Sequence, residues 1–175
     1  MTSASIMKET LEQMGAEVQV YLPNRFTDGY GPNESVYKYF IEQQGISLIV
    51  TVDNGVAGNE AIAYAQEQGV DVIVTDHHSM PAQLPDAYAI VHPEHPDADY
   101  PFKYLAGCGV AFKLATALLE TIPTEMLDLV AIGTIADMVS LTDENRIMVK
   151  VGLEILKTTE RIGLQELLRI SDVDP

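Results

Sequence analysis

Val70-Asp71-Val72-Ile73-Val74-Thr75-Asp76-His77-His78 decides the fold: a β-branched run ends abruptly in a carboxylate and two imidazoles. An unbroken run of Val, Ile and Thr marks a strand covered on both faces, as in parallel sheets packed between helices. Leu48-Ile49-Val50-Thr51-Val52 is a second such run, and it too ends in an aspartate, within Asp53-Asn54-Gly55. Between the two, Ala57 to Gln68 has the length and apolar spacing of a helix, and Tyr88 to Val91 reads as a third strand. Strands that alternate with helices of this length build βαβ units and a mostly parallel sheet.

On the N-terminal side, Ile6, Met7, Leu11 and Met14 share one face of a helix over 3–14 that Gly15 ends. Val18 to Leu22 predicts a short strand and Pro23 to Asn33 a loop. Val36 to Gln44 predicts a helix stopped by Gly45. From Val110 onward the pattern turns helical, over about 110–120, 124–139, 143–157 and 163–170, with Thr142 to Glu144 as an acidic helix start. The expected fold class is therefore α/β: a mostly parallel, doubly wound sheet in residues 1–100, followed by a helical half in residues 105–175. The only turn-rich stretch between the halves, Pro93 to Pro101, is short, so the 175 residues are expected to form a single domain.

Composition narrows the function classes. The sequence is 47% hydrophobic and 21% charged, the balance of a globular protein. No apolar run approaches the roughly 18 to 20 residues a membrane span needs, and residues 1–15 lack the pattern of a signal peptide, so no membrane association and a cytoplasmic location are expected. One cysteine, Cys108, excludes an intramolecular disulfide and a cysteine-rich zinc site, and it reads as a small buried residue. A net charge of −16 is the reverse of the basic footprint of a self-sufficient nucleic-acid binder. It is compatible with a site whose positive charge comes from bound divalent cations.

Ligand crevices of open parallel sheets lie beyond the carboxyl ends of the strands, which stand about 4.8 Å apart, so Asp53 and Asp76 are expected to point into one crevice. Asp53 is either a turn residue or a ligand, and Asp76 either a cap or a ligand. Imidazole and carboxylate at one strand end suit a transition ion. Asp137 follows the apolar stretch Val130 to Ala136, so it is either partnered in the interior or exposed at a helix end. Asp128, on the opposite side of the same helical wheel, is expected to be solvated.

Asp53-Asn54-Gly55, Asp76-His77-His78 and Gly133-Thr134-Ile135-Ala136-Asp137 resemble, in order and spacing, three motifs of the DHH phosphoesterases. Leu22 to Gly31, Tyr100 to Lys103 and Gly107 to Lys113 resemble the RecJ branch of that superfamily, exonucleases that act 5′→3′ on single-stranded DNA in repair and recombination. The resemblance covers nearly the whole chain. It implies two Mn²⁺ or Mg²⁺ ions bridged by Asp53, with His77 and Asp137 on the second ion. It also implies Asp76 as an orienting residue and His78 facing the scissile phosphate. The superfamily's first motif, a strand ending in two aspartates, is expected before Met1. The chain is thus expected to be truncated at both ends, to hold at most one ion well and to have little activity alone. A homodimer through the truncated sheet edge is a further expectation, and Asp172 to Pro175 falls where the family continues into a linker helix.

Other residues carry two readings each. Gly107 and Gly109, with Lys113 in the same helix, form either a phosphate seat or a helix entry that packs closely. Arg25 is either a bidentate phosphate clamp or a solvated loop arginine, the latter favoured by position alone. His92 and His95 read as exposed loop histidines more readily than as a further metal site, and Tyr30, Phe102 and Tyr104 could stack on bases or pack locally. The alternatives to a single-strand exonuclease are another DHH phosphoesterase (nanoRNase, cyclic-dinucleotide phosphodiesterase or pyrophosphatase) and a non-catalytic interaction scaffold.

Overall fold

A computed structural model describes residues 1–171. Its centre is a parallel sheet of β1 (Leu48–Val52), β2 (Asp71–Thr75) and β3 (Ala89–Val91), in that order across the sheet. Leu48 lies opposite Asp71 and Val52 opposite Thr75, so the two strands that carry aspartates end level with each other. Helices α1 (Thr2–Gln13), α2 (Glu34–Gln44) and α3 (Asn59–Glu67) belong to the first half. Helices α4 (Gly107–Leu118), α5 (Leu127–Ala136), α6 (Asp143–Leu156) and α7 (Ile162–Ile170) make the helical half, as expected. A single 3₁₀ turn, Thr124–Met126, leads into α5, which ends at Ala136 and so is shorter than its apolar pattern suggested.

Side chains alternate across a strand, so the sheet has one core on each face. On one face Val72 and Val74 pack against Ala61, Ile62 and Ala65 of α3 and Tyr37 of α2. On the other, Val52 and Val91 rest on the larger core built by α1, α4 and α5. Only β2, in the middle, has the burial that an uninterrupted β-branched run implies, with Val72 and Val74 fully enclosed. β1 departs from that expectation: it lies at the sheet's edge, and Leu48 is 44% exposed.

The strand expected over Val18 to Leu22 does not form. A strand needs a ladder partner for its backbone groups, and among the described residues none runs beside this segment. Tyr21 instead packs edge-on against Phe40, and its hydroxyl donates to Asp28. The continuation expected at Asp172 to Pro175 lies outside the described residues. No helix among the described residues is long and apolar enough to cross a membrane.

The helical half holds a second departure. Asp128 is 2% exposed, not solvated. Its carboxylate accepts from the Thr159 hydroxyl at 2.7 Å and from Arg161 Nε at 3.1 and 3.2 Å, while the other arm of Arg161 pairs with Glu9 on α1. Residues 126–131 are all buried, so this end of α5 has no solvent face for a carboxylate to occupy. Buried charge requires a partner, and Arg161, at the entry to α7, ties α1, α5 and α7 together through it.

Candidate metal centre

The loops after β1 and β2 build the site. Asp53 continues the ladder, its N–H donating to Thr75 O at 2.9 Å, and then turns with φ of +64°, a left-handed conformation that Asp and Asn tolerate better than other side chains. The Thr51 hydroxyl closes the turn onto Asn54 O at 2.7 Å, and Asn54 Nδ2 donates to Val52 O at 3.0 Å. Gly55 must lack a side chain, because a Cβ there would stand 2.9 Å from Val74 Cγ1 on a backbone with φ of +126°. Asp53 is therefore a turn residue, as one of its two sequence readings had it, and its carboxylate faces His77.

Asp76 does not point into the crevice beside Asp53. It is 1% exposed, and its carboxylate turns inward to accept from the backbone N–H groups of Val56, His77 and His78 and from His78 Nδ1 at 2.7 Å. Burial by itself would push its pKa up, but these hydrogen bonds outweigh burial and hold it below the ordinary carboxylate value. Asp76 is thus the anchor of the loop and holds the ring of His78.

His77 Nε2 lies 3.1 Å from Asp53 Oδ1 and 3.4 Å from Asp137 Oδ2. Neither approach has the geometry of a hydrogen bond, so this buried nitrogen is left without a partner. Burial would lower the His77 pKa, yet Asp53 first, then Asp137 and Asp76, carry it above the ordinary histidine value. A buried ring nitrogen with no hydrogen bond, flanked by two carboxylates, is a donor set that fits a divalent cation. Asp53, His77 and His78 also present ligand atoms within 4.8 Å of one another. Asp137 approaches His77 from the C-terminal end of α5 with its side chain 35% exposed, so it is the helix-end reading, not the interior one, that the structure shows.

The other expected site residues fall into two groups. Gly107 is pressed against Asp53: a Cβ there would stand 2.7 Å from Asp53 Cβ and nearer still to the carboxylate. Gly109 faces Leu105 and Met148, which is close packing inside the helical half. Lys113 is not brought to the His77 cluster. Its ammonium is 3.1 Å from Glu144, which also accepts from the Tyr100 hydroxyl, at the mouth of a cleft of about 290 Å³ between β3 and α4. Cys108 is buried beside Thr134 and Val130 O, and burial pushes its thiol pKa up, so it is no nucleophile.

Arg25 is exposed, with its guanidinium carbon 5.4 Å above the ring of Tyr30. Tyr30 in turn places its hydroxyl 3.0 Å from His78 Nε2, so the loop reaches the site through an aromatic residue that the sequence reading had offered for base stacking or local packing. The glycines on either side of Tyr30 were the available signal. His92, expected to be exposed, is 5% exposed. Its Nδ1 accepts from Glu94 N–H and its Nε2 donates to His78 O, which occupies both nitrogens and excludes it as a metal ligand.

Residues 1–134 match the DHH family, N-terminal domain. The single-stranded-DNA-specific exonuclease RecJ of Bacillus subtilis (strain 168) is 54% identical over 173 residues, which is 99% of this chain and 22% of that protein. Among solved structures, exonuclease RecJ bound to manganese superposes with a TM-score of 0.85 at 36% identity, over 97% of this chain and 44% of the other. RecJ from Thermus thermophilus in complex with Mn²⁺ gives a TM-score of 0.81 at 33% identity, over 98% and 25%. The chain thus spans less than half the length of each of these relatives.

Proposed function

The chain belongs to the DHH family, and from that premise we propose that it carries the metal-binding core of a phosphodiester hydrolase. In the complete protein that core serves a 5′→3′ exonuclease on single-stranded DNA. The observation that carries the reading is His77 Nε2, buried, unpartnered and set between Asp53 and Asp137. These three residues would hold Mn²⁺ or Mg²⁺. A divalent ion supplies there the positive charge that offsets the phosphate's and makes water a better nucleophile at neutral pH.

The chain's own residues divide the remaining work. Asp53 and Asp137 contribute the negative charge that compensates a cation, and Asp76 holds the loop on which both histidines stand. His78 turns Nε2 toward the incoming phosphate, and Arg25 offers a fork of donors to a phosphate oxygen. With a net charge of −16, nucleic acid is repelled by the rest of the surface, which makes the cation necessary for binding as well as for chemistry. Three protein ligands suffice for one ion, whereas two-metal hydrolysis needs two ions about 3.5 to 4 Å apart, so activity of this chain by itself is expected to be low. Among the described residues no strand pairs with the outer edge of β1, which supports a second proposal, that two copies associate there, and sedimentation of a concentration-independent monomer would refute it.

Titration calorimetry with Mn²⁺ tests the centre: one equivalent should bind to this chain and none to His77→Ala. A panel of single-stranded DNA, short RNA, pyrophosphate and cyclic dinucleotides tests the substrate class. Manganese-dependent turnover should favour single-stranded DNA and fall far below that of a complete RecJ exonuclease. Equal Mn²⁺ binding by His77→Ala, or preference for pyrophosphate, would overturn the reading.

A further inference from the structure

Both ring nitrogens of His78 are occupied from within the protein. Nδ1 lies 2.7 Å from Asp76 Oδ1, and a carboxylate only accepts, so Nδ1 donates and Nε2 is left as the acceptor of the Tyr30 hydroxyl at 3.0 Å. Because Nδ1 turns back to the buried aspartate, Nε2 is the nitrogen that faces the crevice. The contact spans 48 residues of sequence, and its loop is stitched to itself. The Asp28 carboxylate accepts from Asn24 N–H and the Tyr21 hydroxyl, and Asn33 Nδ2 donates to Asp28 O. Gly29 and Gly31, with φ of +78° and +82°, let the chain turn on both sides of Tyr30, which is 67% exposed. An arginine stacked on an aromatic face keeps its planar fork free for an anion, and Arg25 lies in that way over the Tyr30 ring.

We infer that Tyr30 is a displaceable hold on His78: its hydroxyl fixes the imidazole before substrate arrives, and gives up Nε2 when the P–OH group of a nucleotide monophosphate drawn in by Arg25 enters the crevice and donates to that nitrogen in its place. This rests on the phosphate-binding reading above. Tyr30 is then a positioning residue whose contact opposes binding, since a ligand that needs Nε2 binds only to the fraction of molecules in which the tyrosine has let go. An exposed neutral hydrogen bond of this kind reduces apparent affinity by about 2- to 10-fold.

The test uses thymidine 5′-monophosphate in the presence of Mg²⁺, measured by titration calorimetry on the parent, Tyr30→Phe, His78→Asn and the double variant. Tyr30→Phe keeps the ring and its arginine and removes only the hydroxyl. It should bind the nucleotide about 2- to 10-fold more tightly than the parent, and the gain should vanish when His78 is absent. In the ligand-free protein, the ¹⁵N resonance of His78 Nε2 should shift in Tyr30→Phe while that of Nδ1 stays in place. Weaker or unchanged binding by Tyr30→Phe, a gain that persists without His78, or an unmoved Nε2 resonance would each overturn the inference. If no variant binds the nucleotide although the Nε2 shift is seen, it is the phosphate-binding reading that fails, and release by phosphate fails with it.

Discussion

Replacing Gly107 by alanine is expected to damage the metal centre without touching a ligand. The added Cβ would stand 2.7 Å from Asp53 Cβ and closer to its carboxylate, and Asp53 cannot retreat freely because its left-handed backbone is pinned by the β1 to β2 ladder and the Thr51 closure. Overpacking of this kind costs about 1–3 kcal/mol, partly offset by the ~0.5–1 kcal/mol that alanine gains over glycine within a helix. Net stability should therefore fall by no more than about 2.5 kcal/mol. The carboxylate should swing away from His77, and displacing the support of a ligand typically weakens metal affinity about 10- to 100-fold. Calorimetric titration with Mn²⁺, beside urea denaturation of the same samples, separates the two effects. Gly109→Ala is the control: its Cβ would meet Leu105 and Met148 side-chain tips at 3.3 and 3.5 Å, which can yield, and Mn²⁺ affinity should hold. Parent-like Mn²⁺ affinity in Gly107→Ala would refute the claim that this contact aims Asp53.

Arg161→Met leaves the buried carboxylate of Asp128 without its cation and should cost roughly 3 kcal/mol in urea denaturation; a loss below about 1 kcal/mol would show that the network is incidental. Asp76→Asn keeps the shape but sets an amide NH₂ against N–H donors, so roughly 3 kcal/mol of stability and Mn²⁺ binding should be lost together, and loss of binding alone would contradict the anchoring role. Burial lowers the pKa of His92 below the ordinary value of 6.5, so the unfolded chain takes up the proton first. His92 therefore contributes stability that is present above pH 6.5 and lost as pH falls through its depressed folded-state value. His92→Gln should flatten the pH dependence of the urea midpoint in this acid range, and an unchanged slope would count against it.

The strands were legible where burial is forced from both sides. The β-branched run at 71–75 became the central strand, and the run at 48–52 was read with its observed limits although it proved to be an edge. Val18 to Leu22 misled because β-propensity describes a side chain's fit to a pleated surface and says nothing about whether a neighbouring strand is there to pair with. Asp128 was misread for a related reason. A helical wheel assigns a solvent side by elimination, but the first turn of α5 is enclosed on all sides, and the compensating Arg161 is 33 residues away in sequence. At the site, strand-end position placed the loops that carry Asp53 and Asp76 level with each other, but its expectation that both carboxylates face one crevice held for Asp53 alone. It could not report that Asp76 turns inward, since that depends on amide groups of two loops converging on one carboxylate. Tyr30 was legible as a residue set between two turn glycines, but its contact with His78 was not, because that depends on the path of the whole loop.

The left-handed backbone of Asp53 has a consequence for how such a centre can be lost. Asparagine is the one common residue that shares both its shape and its tolerance of that conformation, and a single base change converts an aspartate codon to an asparagine codon. Asp53→Asn would therefore remove one of the two carboxylates that flank His77 while leaving turn, ladder and core in place, whereas a glutamate or alanine there would strain the turn as well. Drift toward a silent, folded descendant is open by one step at this position, and at Asp76 the same step would unfold the loop.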